Sequence, residues 1–199
     1  MQYFDSLPKV VYRDKNGNLS LRTNLLARAS FIPETLKNPM LYYQYDIQEG
    51  DTPEIVAHKY YNDMYRYWIV LFANEMMDPN WNWPLSTRDF NRYMESKYPE
   101  QQTHGTVHHY EKILTQYDAN TDTTTINKVT ISENEYNSII EGTNTFELPT
   151  GPTSIKTEKR IVSVYDYELE LNESKRSINL LNSSYVDEME LQLKMLMAA

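Results

Sequence analysis

The sequence predicts an α+β fold, and three observations carry the prediction. Runs of strand length rich in β-branched and aromatic residues (41–47, 107–117 and 123–131) are bounded by turn-forming residues. Helix-start signals lie between and after them: Thr52 before Pro53, Ser86 with Asp89, and Ser132 with Glu135. Near the end, Tyr185, Met189, Leu193 and Leu196 fall on one stripe of helical spacing.

Taken in order, residues 1–40 read as an extended N-terminal arm with room for one short helix. The run Asp14 to Asn18 is a turn by composition, and Pro8, Pro33 and Pro39 discourage a long helix. Leu19, Leu21, Leu25 and Leu26 give this arm apolar weight that needs something to lie against.

Residues 41–99 are the densest part. A strand over 41–47 closes in the turn Gln48-Glu49-Gly50-Asp51, and Thr52 caps a helix with Pro53 at its first position. Ile55, Val56, Lys59 and Tyr60 line one face of that helix. A second short helix runs over 64–73, with Tyr67, Trp68, Leu71 and Phe72 as core candidates and Asn74 as its stop. A third starts at Ser86, flanked by Leu85 and Phe90 as a hydrophobic staple, and ends near Lys97, before Pro99.

Residues 100–160 carry few aliphatics and many Thr and Asn. They predict a hairpin of 107–117 against 123–131, a short helix over 133–140 and a loop over 142–152. In residues 161–199 two periods overlap. Ile161, Tyr165, Tyr167, Leu169 and Leu171 step by strand spacing, while Val164, Tyr167, Leu171, Ser174, Ile178 and Leu181 step by three and four. The reading favours a helix within 164–178. From Ser184 a terminal helix is predicted, widened by Leu191, Met195 and Met197, and such a helix packs either on its own domain or on another subunit.

Composition excludes several function classes. The 199 residues carry a formal net charge of −9 and no basic run, which argues against nucleic acid and against anionic lipid. There is no cysteine for disulfides or thiolate metal sites. The opening MQYFDSL has neither a basic nor an apolar segment of secretory type, and no run is long enough to span a bilayer. The 17 tyrosines suit half-buried or docked surfaces.

No phosphate loop, zincin helix or nucleophile elbow occurs in the sequence. His104, His108 and His109 are the best metal candidates. On a strand, however, His108 and His109 point to opposite faces, so surface histidines are the favoured reading. The acidic pairs Glu168/Glu170 and Asp187/Glu188 read as solvated charge. No enzyme, cofactor, metal or small-molecule substrate is expected.

The segment Tyr45 to Thr52, with Ile55, Ala57, Tyr60, Leu71 and Asn74 after it, resembles a LysM module, in which Gly50, Asp51 and Thr52 form the characteristic turn. That resemblance implies a small strand–helix–helix–strand unit over 41–99. The sequence departs from cell-wall modules in Thr52-Pro53-Glu54 and in the inserted Tyr65 to Trp68, and it runs on unbroken through Asn74 to Leu85. The longer string, with the opening MQYFDSLPKVVY and the later YELELNESKRSINLL, resembles the baseplate wedge protein 53 family of contractile-tailed bacteriophages.

The resemblance implies a virion structural protein of the tail baseplate, assembled in the host cytoplasm. It would be present in several copies in a symmetric assembly and would bridge neighbouring wedge proteins near the tail hub. Trp81, Trp83, Tyr185, Met189 and Leu193 are the protein-interface candidates, with plain core packing as the alternative for each. The alternative function is a LysM-type peptidoglycan- or chitin-binding module, although such modules usually come in tandem or beside a hydrolase and one copy stands here. The expected division is the arm 1–40, the LysM-like domain 41–99, a hairpin and loop region 100–160 and a C-terminal helical region 161–199.

Overall fold

A computed structural model describes residues 3–99, 102–119, 121–148 and 151–198. The fold is α+β and divides into two units, residues 1–87 with 172–199, and residues 88–171. In chain order the first unit holds β1 (Lys9–Arg13), β2 (Leu19–Thr23), α1 (Pro33–Leu36), β3 (Tyr42–Asp46), α2 (Pro53–Tyr61), α3 (Tyr67–Ala73) and α4 (Pro79–Asn82). The second holds α5 (Thr87–Lys97), β4 (Val107–Asp118), β5 (Thr123–Ile131), α6 (Glu133–Ser138), β6 (Gly142–Leu148), β7 (Gly151–Ser163) and α7 (Val164–Glu173). The chain then returns to the first unit as β8 (Ser177–Leu181) and α8 (Val186–Ala198).

In the first unit, α2 starts where its signals stand: the Thr52 hydroxyl accepts from the Ile55 N–H at 3.3 Å and Pro53 fills the first position. It ends at Asn62, which takes a left-handed φ of 55° and whose N–H donates to the His58 carbonyl. The YWIVLFA run of α3 is apolar on every side and is correspondingly enclosed, with Trp68, Ile69, Val70, Leu71 and Ala73 all buried. Burial of side chains of this size is worth about 1.5–3 kcal/mol each.

The strand beside β3 does not come from within residues 41–99, where β3 is the only strand. It is β8, antiparallel, with Tyr42 opposite Leu181 and Asp46 opposite Ser177. β8 turns Ile178, Leu180 and Leu181 into the core. The Asn74 side chain donates to the Asn179 carbonyl and accepts from the Asn179 N–H, both at 2.8 Å, so the helix-stop residue also pins the returning strand.

The expected extended arm is a hairpin. β1 pairs with β2, Val11 opposite Leu21, across the predicted turn, where Gly17 takes a φ of 86° and Asp14 accepts from the Asn16 and Asn18 N–H groups. Before it, Tyr3 packs edge-on to Phe72 and Leu7 is buried in the core.

The second unit is a four-stranded antiparallel sheet in the order β5-β4-β7-β6. The predicted hairpin is β4 with β5, from Tyr110 opposite Ile131 to Asp118 opposite Thr123. The loop expected over 142–152 is strand instead: β6 pairs with β7 from Gly142 opposite Thr157 to Leu148 opposite Gly151, with 149–150 outside the described residues. Thr143, Thr145 and Phe146 suit a strand, whereas Gly142 and Asn144 read as turn residues and hide it. The pairing itself is made by main chain against the 13-residue β7.

The Ser132/Glu135 capping box of α6 is complete, and the helix is two residues shorter than its expected end. The overlapping periods of 161–181 resolve into strand to Ser163, helix over 164–173 and strand again from Ser177. Ser163 opens α7 by accepting from the Asp166 N–H at 3.1 Å.

Candidate functional site

The Gly50-Asp51-Thr52 turn is a structural node. Gly50 has a φ of 82°, a left-handed conformation that side chains disfavour, although nothing lies within 4 Å of where a Cβ would stand. The Asp51 carboxylate accepts from the Tyr45 hydroxyl at 2.6 Å, the Lys59 ammonium at 2.6 Å and the Gln48 N–H at 3.1 Å. Burial works to raise its pKa, but the hydrogen bonds from Lys59 and Tyr45 outweigh it and hold the carboxyl below the usual carboxylate range. Its main-chain carbonyl accepts from the Trp83 indole N–H at 2.8 Å. One residue thus ties a strand end, a turn, α2 and the segment after α4 together. Glu49 extends the node by accepting from the Thr87 N–H at 2.7 Å.

The two tryptophans of the NWNWP segment divide. Trp83 is buried and spent on Asp51. Trp81 is 71% exposed. Its backbone is nevertheless held: Asp78 caps the short α4, the Trp81 N–H donates to the Asp78 carbonyl, and the Lys175 ammonium donates to the Trp81 carbonyl at 2.7 Å. An exposed indole on a pinned backbone loses little freedom when a partner covers it.

Along α8 the predicted stripe also divides. Val186, Leu193 and Met197 face the first unit's core and Met189 packs half-buried against it. Tyr185, Leu191, Met195 and Leu196 are exposed. Arg66 holds the helix start, bonding Asp187 at 2.7 Å and Glu190 at 3.0 Å. Beside α8 lies an apolar groove of about 260 Å³ lined by Phe31, Ile32, Trp68, Phe72, Met189 and Leu196 among others. Of the interface candidates, then, Trp81 and Tyr185 face outward, while Trp83 and Leu193 are taken up by packing within the chain.

In the second unit, Glu168 is a feature the sequence reading missed. Read there as solvated charge, it is only 7% exposed. It accepts from Lys97 at 2.8 Å, the Tyr98 hydroxyl at 2.8 Å and the Tyr93 hydroxyl at 3.2 Å. Burial opposes its ionisation, and the bonds from Lys97 and Tyr98 prevail, leaving its pKa lowered. The usable signal was on α5, where Tyr93 and Lys97 stand one turn apart beside Tyr98. Its neighbour Glu170 does stay near solvent, paired with Arg160.

The orientation of His108 and His109 departs from expectation as well. A bulge between Val107 and His109 makes two residues of β4 oppose one of β7, so His108 and His109 do not diverge. Their Nδ1 atoms lie 2.8 Å apart, and His108 stacks on Tyr167 at 3.9 Å. Among the described residues no group of three or more His, Asp or Glu could hold a metal ion, and no helix is long and apolar enough to cross a membrane.

No curated protein matches the chain. A family model described as base plate wedge protein 53 matches residues 35–195 of the 199. The chain therefore belongs to the base plate wedge protein 53 family, which makes it a structural component of the phage tail baseplate that assembles there with other baseplate proteins.

Proposed function

We propose that this protein bridges neighbouring wedge subunits around the tail hub of a contractile tail, as a non-catalytic component repeated in a symmetric baseplate. The observation that carries the reading is the exposed Trp81 on its immobilised backbone, in a chain of the wedge family. The exposed Leu191 and Met195, one turn apart on α8, supply a second apolar surface, and Tyr185 just before the helix is exposed as well. Large aromatic and flexible apolar side chains surrounded by polar ones are the usual anchors of protein interfaces. Nothing favours glycan binding: the charged member of the LysM-like turn, Asp51, is buried and occupied by Tyr45, Lys59 and Gln48.

The test is cross-linking mass spectrometry on purified phage tails, with photoreactive residues at positions 81 and 191. Links from both positions to other wedge proteins are expected. Links from neither, in tails that contain the chain, would sink the bridging role.

A further inference from the structure

The β1–β2 hairpin contributes no residue to the described core of the first unit. All ten of its strand residues are exposed. A two-stranded ribbon by itself is marginal in water, because it buries too little to offset its ordering. Its composition makes the exposure costlier still. Alternation along the two strands puts Val11, Leu19 and Leu21 on one face, and they are 67%, 63% and 64% exposed. Leu25 and Leu26, just after β2 in the chain, are exposed as well, the latter 88%. An exposed apolar stripe of this kind marks an interaction site.

Charge says what covers it. Between residues 9 and 23 stand four cations, Lys9, Arg13, Lys15 and Arg22, and one anion, Asp14, in a chain whose net charge is −9. Asp14 is committed to the turn, where it accepts from Asn16 and Asn18. Lys9 and Arg13 share the face of Val11 and Leu21, while Arg22 lies over the Tyr12 ring at 4.0 Å on the other. The hairpin is thus an apolar stripe flanked by positive charge on an otherwise acidic protein. Membership of the base plate wedge family supplies other baseplate proteins as the surfaces such an arm would meet.

We propose that the β1–β2 hairpin is a docking arm that lays its Val11/Leu19/Leu21 face on an apolar, acid-rimmed surface of another baseplate protein. The proposal rests on the baseplate reading and deepens it by naming a surface and its partner's chemistry.

The experiment compares the free full-length chain with intact tails. Lysine acetylation read by mass spectrometry should show Lys9 at least tenfold less reactive in tails. Carbodiimide coupling should join Lys9 or Lys15 to Asp or Glu of a different baseplate protein. In phage complemented with Val11→Ser/Leu21→Ser, or with the charge reversal Lys9→Glu/Arg13→Glu, the amount of chain per tail should fall at least tenfold. The free charge-reversed chain should keep its melting temperature, so that a folding defect in the serine variant does not decide the matter. Equal Lys9 reactivity in both states, or coupling only to a second copy, overturns the docking arm. If position 81 still cross-links to wedge proteins in that case, bridging stands and the arm alone falls. If the unaltered chain is missing from purified tails, both fall.

Discussion

The two units of this protein solve one electrostatic problem alike and one packing problem differently. Each buries a carboxylate under a lysine and tyrosine hydroxyls: Asp51 under Lys59 and Tyr45, Glu168 under Lys97, Tyr98 and Tyr93. The first unit also has a dense apolar core drawn from distant parts of the chain, including Val56, Ile69, Val70, Leu181 and Val186. The second relies on long main-chain ladders, and β5 is exposed along nearly its whole length. Side-chain truncation should therefore damage the first unit more, whereas the second tolerates change wherever its ladder is intact.

The largest effect should come from the core that distinguishes the first unit. Ile69→Ala should lower stability by about 2–5 kcal/mol, read as the urea midpoint of tryptophan fluorescence. That probe belongs to the first unit alone, because Trp68, Trp81 and Trp83 all lie there. A truncation as costly at Thr125 on β5 would erase the distinction between core and ladder.

Next in size are the two carboxylates. Asp51→Asn and Glu168→Gln should each cost about 1–3 kcal/mol, since a buried hydrogen-bond cluster loses its charge. Asp51→Asn should move the tryptophan transition. Glu168→Gln should move the far-UV circular dichroism transition while leaving tryptophan fluorescence nearly in place. Equal shifts in both probes for both variants would mean that the units unfold as one.

Acid should reveal the same pair. Both carboxyls are held below their ordinary range, burial opposing and the lysine and tyrosine hydrogen bonds prevailing. Their contribution is therefore complete above that range and lost as the pH falls through the lower folded values. The urea midpoint should begin to drop below about pH 5 and go on dropping as the pH falls through the lowered folded values, and the drop should shrink in Asp51→Asn. An unchanged pH profile in that variant would remove Asp51 from the account.

The smallest effect on the fold should come from Trp81→Ala, within about 0.5 kcal/mol because the indole is exposed. Its consequence should appear only in assembly, as loss of the chain from purified tails. A large drop in the stability of the free protein would reassign Trp81 to the fold.

How much of this was legible varies by element. The start of α2 at Thr52-Pro53, the hairpin of β4 and β5, the capping box of α6 and the terminal helix could all be read, because each is encoded by residues within a few positions of one another. The candidate site was half legible. Trp81 and Trp83 have nearly identical local surroundings in sequence, yet one reaches the Asp51 carbonyl and the other reaches solvent. Glu168 looked like any helix-surface acid until Lys97 and Tyr98 met it.

By itself, then, the sequence determined the α+β class, the helix caps and turns, and the order of motifs that marks the family. Tertiary structure alone decided that β8 closes against β3, that residues 142–148 form a strand, that a bulge turns His108 towards His109, and which tryptophan is free. The reason is the range over which each signal acts. Caps, turns and amphipathic periods are settled by neighbours within about one helical turn. Strand partners and burial depend on groups far away in the chain, as when the Tyr61 hydroxyl finds the Leu181 carbonyl 120 residues later.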